Sequence, residues 1–224
     1  MAERLPNAYV LAVTRLFCGY FYADCRYIQA VLGHAESGVV LSAEYGFSTI
    51  LPQMIIQQGW ALVHLGRVEE GFDRIGRGTA ILPPAMGVNR HLFRRLVADA
   101  YLVAKRADDG LHVVSEGLQD LKGSKSRIEQ AELHRLRGEL LLLQNASAQA
   151  HAESSFREAI EIARRQQAKS WELRATMSLA RLLAKHGRRD EARAILAEIY
   201  NWFTEGFDTA DLKDAKVLLD ELAI

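Results

Sequence analysis

Residues 179–199 read LARLLAKHGRRDEARAILAEI, and the placing of their small residues decides the fold. Ala180 is followed three residues later by Leu183, then by a polar, glycine-bearing turn, then by Ala192 and, four residues on, Leu196. Two helices folded back around a short turn satisfy this order. Small side chains let the helix axes approach where they cross, and the leucines fill the space beside the crossing. The stretch predicts a helical hairpin.

The same order recurs upstream in QGWALVHLGRVEEGFDRIGRG (58–78), VADAYLVAKRADDGLHVVSEG (97–117) and RGELLLLQNASAQAHAESSFREA (137–159). The first small residues are Gly59, Ala98 and Gly138, each followed by a large one at Leu62, Tyr101 or Leu141. The second small residues are Gly71, Gly110 and Ala152, followed four later by Ile75, Val114 and Phe156. From Gly59 through Ala98 and Gly138 to Ala180 the intervals are 39, 40 and 42 residues. A fifth, degenerate unit over 8–45 places Leu11, Ala12, Leu16, Gly19 and Tyr20 on one helix and Ile28, Val31, Leu32 and Ala35 on the next. Only four prolines occur, at positions 6, 52, 83 and 84, and no segment alternates as a strand does. The expected pairs are therefore 8–45, 50–83, 90–122, 128–167 and 170–203, within one domain over 1–224.

A terminal helix closes the series. In YNWFTEGFDTADLKDAK (200–216), Gly206 is expected to end the last paired helix in a left-handed conformation, and Asp208 to cap a new helix over 208–223. Phe207 and Leu212 have the spacing of a hydrophobic staple, and Leu212, Ala215, Leu219 and Leu222 form an apolar stripe. Trp202 and Phe203 are expected in the corner between the last hairpin and this cap; the alternative is an aromatic binding pocket.

The set of hairpins resembles the tetratricopeptide repeat, with Pro83 standing where that family often has a proline after the second helix. The family's usual interval is about 34 residues, so the extra residues here are expected to lengthen helices or connections. The resemblance implies an all-α, right-handed superhelical solenoid of about five antiparallel pairs plus the capping helix. It also implies that the first helix of each pair lines a concave groove. Carried onto this sequence, the groove positions include Trp60 and His64, then Arg95 and Asp99, then Arg135 and Glu139, and finally Arg174, Arg181 and Lys185. Such a groove is expected to hold a protein or peptide partner, an acidic segment in particular. The alternative is that its cations pair with Glu132, Glu139 and Glu172 and only keep the surface soluble.

Three stretches, AELHRLRGELLL (131–142), SFREAIEIARRQQAKSWELRATMSLARLL (155–183) and WFTEGFDTADLKDAK (202–216), resemble the C-terminal helical-repeat region of large bacterial signalling proteins. In those, a nucleotide cyclase or a DNA-binding activation domain precedes an ATPase module. The implied role is regulatory or scaffolding, since the chain has no G-x-x-x-x-G-K-[ST] phosphate loop and no cyclase metal site.

Composition narrows the function further. The chain has 224 residues, 49% of them apolar, and 28 basic against 28 acidic side chains, so no net field favours nucleic acid or an anionic membrane. Without a membrane span or an apolar leader, the expected location is cytoplasmic. Cys18 and Cys25 lie on one helix about 10 Å apart along its axis, too far for a disulfide between them. No zinc-ligand spacing is present, and no cofactor or enzymatic activity is expected. His134, with arginines beside it, has the chemistry of a base, but a hydrogen-bonded interface histidine is the more ordinary role. Two further functions stay open: a small-molecule sensor using the same groove, and a homodimer through Phe17, Tyr20, Phe21 and Tyr22.

Overall fold

The computed structural model describes residues 7–83, 90–122 and 127–223. Eleven α-helices and no strand occur among them: α1 (Ala8–Asp24), α2 (Ile28–Tyr45), α3 (Leu51–His64), α4 (Val68–Ala80), α5 (Arg90–Val103), α6 (Ala107–Lys122), α7 (Gln130–Gln144), α8 (Gln149–Gln166), α9 (Lys169–Lys185), α10 (Arg189–Tyr200) and α11 (Ala210–Glu221). These bounds fall within the five expected pairs and the terminal helix to within a residue. Pro83 lies beyond the end of α4. The longest interval, 138 to 180, is filled by the 18-residue α8 and by a longer turn before it. That turn is held by the Ser147 amide donating to Asn145 Oδ1 at 2.9 Å.

The chain packs as two compact units, Met1–Ala104 and Lys105–Ile224, and the division falls inside the third expected pair. In the first unit α1 packs on α2, α2 on α3 and α3 on α4, while α3 also packs on α1 and α5. In the second, consecutive helices again pack together, and α9 also packs on α7 and α11. Apolar residues at three- and four-residue spacing supply the buried faces. A continuous core in the second unit joins Phe156, Leu173, Leu179, Leu183, Leu196, Leu212 and Leu218.

The α3–α4 crossing shows why its glycines matter. A Cβ on Gly59 would lie 2.5 Å from the Gly71 carbonyl oxygen, and one on Gly71 would lie 2.7 Å from the Gly59 oxygen. A Cβ on Gly78 would meet Ile56 Cγ1 at 2.7 Å. As numbers rise along α3 they fall along α4, so the two helices are antiparallel, with backbones too close for any side chain between them. At the α7–α8 crossing Gly138 instead receives the ring of Phe156, whose Cε1 would lie 2.4 Å from a Cβ.

The turns repeat as well. Residues 25–27, 65–67, 104–106 and 186–188 are three-residue connections whose middle residues are left-handed: Arg26 (φ 62), Gly66 (φ 81), Lys105 (φ 58) and Gly187 (φ 77). In the second of these the Arg67 amide donates to the Leu62 carbonyl and the Gly66 amide to that of Val63; Arg188 and Gly187 do the same to Leu183 and Ala184. This is the Schellman arrangement, which satisfies the last carbonyls of the outgoing helix.

The C-terminal joint departs from expectation in three ways. Helix α10 already ends at Tyr200, so Gly206 (φ 78) bends the connection and does not terminate the helix. Helix α11 begins after Thr209, not Asp208, and no side chain caps it; the Thr209 hydroxyl donates back to the Gly206 carbonyl at 2.7 Å. Phe207 is exposed and its ring meets Tyr200 at 5.8 Å, so the expected staple to Leu212 gives way to an aromatic contact with the preceding helix. The apolar stripe of α11 is Leu212, Ala215, Leu218 and Leu222, with Leu219 only partly buried against the same core.

Candidate functional site

In the first unit three of the expected groove residues meet. Asp99 on α5 accepts, through one carboxylate oxygen, the indole N–H of Trp60 at 2.8 Å, and His64 Nε2 lies 2.8 Å from the same oxygen. The Trp60 and His64 rings stand 4.2 Å apart, one turn from each other on α3. Trp60 is only 2% exposed. The Arg95 guanidinium is likewise buried, 2.8 Å from Asp24 at the end of α1. The use of Trp60 and Arg95 as surface anchors is therefore corrected: both are spent between helices, because α5 brings a carboxylate to the indole and α1 brings one to the guanidinium. Neighbouring polar groups act alike, with Tyr20 donating to Gln53 and Gln57 to the Leu16 carbonyl.

The second unit treats the corresponding positions differently. Arg135 forms a two-bond pair with Glu132, at 2.8 and 2.7 Å, within its own helix, and lies 3.7 Å from Glu139. Glu139 accepts from the Ser178 hydroxyl at 2.6 Å, linking α7 to α9, and Arg174 pairs with Asp211 at 2.7 Å, linking α9 to α11. Glu172 is buried, but its partners are Arg164 and Lys169 and not the groove cations. Arg181 and Lys185, one turn apart on α9, are exposed and have no carboxylate partner among the described residues. Of the expected internal pairings, only that of Arg135 with Glu132 and Glu139 is present; Arg174 pairs with Asp211 instead, and Arg181 and Lys185 are open.

The aromatic candidates divide in the same manner. Phe17 and Phe21 on α1 are 60% and 63% exposed, whereas Tyr20 is buried and Tyr22 stacks on His34. Trp202 is 58% exposed, which corrects its expected place in the corner core; Phe203 packs there, edge-on to Trp202. The Lys169 ammonium sits 5.4 Å from the Trp202 ring centre, within cation–π range.

His134 on α7 is partly buried, and its Nδ1 is enclosed without a hydrogen-bond partner. Burial holds its pKa below the ordinary value of 6.5; the Glu158 carboxylate opposes this and the Arg137 guanidinium adds to it. Among the described residues no group of three or more His, Cys, Asp or Glu side chains is arranged to hold a metal ion, and no helix is long and apolar enough to cross a membrane. Both cysteines are free thiols.

One device escaped the sequence reading. Arg67, Arg106 and Arg188 each stand just before the second helix of a pair, and each guanidinium Nε donates to a carboxylate three residues on: Glu70 at 2.9 Å, Asp109 at 2.8 Å and Glu191 at 2.8 Å. The signal was present as GRVEE, KRADD and GRRDE, an arginine and an acid three apart after a left-handed residue. Comparison with known proteins adds no family: no family model matches the chain, and no curated protein matches it.

Proposed function

We propose that this chain is a non-enzymatic interaction or regulatory module, a tetratricopeptide-like right-handed solenoid whose first helices carry the docking face. Four features support the architecture: the antiparallel α3–α4 crossing, the glycines at the α3–α4 and α7–α8 crossings, the repeated left-handed turn, and the packing of α9 on both α7 and α11. The role fits a cytoplasmic signalling scaffold of a bacterial kind, in line with the sequence resemblance.

The observation that carries the functional reading is the pair Arg181 and Lys185. A cation left exposed without a carboxylate, on a face where Arg135 and Arg174 are neutralised by their neighbours, offers a partner charge that the protein does not use itself. Arginine holds a carboxylate through two parallel bonds, so the occupant is an acidic peptide segment. A random-peptide display selection on the wild type and on R181E/K185E in parallel tests this. Acidic sequences should be enriched on the first and absent from the second. Identical selections from both, or no enrichment of acids on the wild type, would remove the reading.

A further inference from the structure

An open cleft of about 710 Å3 runs between α6 and α7 in the second unit. That volume is within the ~300–1,000 Å3 typical of small-molecule sites. One wall is a single stripe of α6 containing Leu111, Leu118 and Lys122; the other is a stripe of α7 containing His134, Arg137 and Leu141. Arg127, just before α7, also lines the cleft. The two ends of the cleft differ in their outermost residues, with Arg137 one turn from Leu141. Leu111 and Leu141 mark one end and Lys122 and Arg127 the other, separated by about 16 Å at 1.5 Å per helical residue.

The charges are one-sided. No aspartate or glutamate lines the cleft, and Lys122, Arg127 and Arg137 have no carboxylate partner among the described residues. Three exposed arginines elsewhere in the same unit are held: Arg157 and Arg188 share Glu153 and Glu191, and Arg164 takes Glu172 and Glu198. Lys122, Arg127 and Arg137 thus gather three cations without a carboxylate on one cavity, as Arg181 and Lys185 stand open on α9. His134 also lines the cleft, although its Nδ1 is closed off from solvent.

We propose that the α6–α7 cleft binds a small anionic amphiphile, an acyl-chain body carrying a carboxylate. The carboxylate meets Lys122 and Arg127, the chain lies along Leu118 towards Leu111 and Leu141, and Arg137 covers the chain with its aliphatic stem. The site is separate from the face bearing Arg181 and Lys185, and it stands or falls independently of the docking reading.

The test is a titration of the full chain with decanoate, and in parallel with decan-1-ol, followed by backbone amide chemical shifts. Decanoate should bind saturably and move amides of 111–122 and 130–141. Decan-1-ol, and decanoate added to K122Q/R127Q, should each bind about tenfold more weakly, the loss expected for a charge-assisted contact. L118Q should weaken decanoate while leaving circular dichroism and the R181E/K185E-sensitive peptide binding unchanged. Absence of saturable decanoate binding would overturn the proposal. So would equal affinity for acid and alcohol, indifference to K122Q/R127Q, or shifts confined to the exposed Val10, Phe17 and Phe21 of α1.

Discussion

Helices α3 and α5 in the first unit and α7 and α9 in the second carry their polar residues at matching places, yet use them in opposite ways. Trp60 and Arg95 are closed in by carboxylates from other helices, Asp99 and Asp24. Arg135 is instead satisfied by Glu132 on its own helix, and Arg181 and Lys185 are left to solvent. The difference teaches that position on a repeat does not decide accessibility. What decides it is whether an adjacent helix supplies a counter-group. A buried indole N–H without an acceptor costs about 1–3 kcal/mol, so once Asp99 lies within reach the indole is drawn in.

The sharpest way to break the comparison is at the crossings. Gly59→Ala sets a methyl against a backbone oxygen, which moves only if a helix moves; a loss of about 3 kcal/mol is expected. Gly138→Ala meets the Phe156 ring, which has torsional freedom to give way, so about 1–2 kcal/mol is expected. Urea midpoints of the two variants decide it, and the reverse order would show that the first unit is the more adaptable. Between these two in size, Asp99→Ala strips the acceptor from Trp60 and His64 together and should cost about 2–3 kcal/mol, with a change in tryptophan fluorescence. Ser178→Ala removes a single bond to Glu139 and should cost about 1 kcal/mol. Equal losses would mean that the two faces are built alike after all.

Within each unit the packing of consecutive helices was legible because burial imposes it: 3.6-residue periodicity and small residues at the α3–α4 and α7–α8 crossings are direct consequences of close packing. Gly59, Gly71, Gly138 and Phe156 all stand where the sequence reading put them. The candidate site was legible only as a set of positions. Whether Trp60 faces water depends on Asp99, which is 39 residues away and gives no local sign. The C-terminal joint misled for a different reason. Asp208 and Thr209 are both ordinary caps, and the choice between them rests on the Thr209 hydroxyl reaching the Gly206 carbonyl. The arginine–acid turn was visible in three places but lacked any rule that singles it out. Its effect on stability is small: Arg67→Ala, at an exposed pair with Glu70, should cost about 0.5 kcal/mol in a urea titration.

The smallest expected effect separates two histidines. His64 in the first unit has Asp99 at its Nε2, whereas His134 in the second has an enclosed Nδ1 with no partner. Burial lowers the folded pKa of His134 below 6.5, the Glu158 carboxylate offsetting part of this. As pH falls past 6.5, the unfolded chain takes up the proton before the folded one does. The unfolded state then holds more protons, so stability falls with pH until the folded pKa is passed. Replacing His134 by glutamine removes that linkage, while acidic groups such as Glu153 and Glu191 titrate equally in both proteins at lower pH. Urea midpoints measured on either side of pH 6.5 should therefore fall less in His134→Gln than in the wild type. If the two fall in parallel, the imidazole is solvated in the folded state, and the contrast between a partnered histidine and an enclosed one is lost.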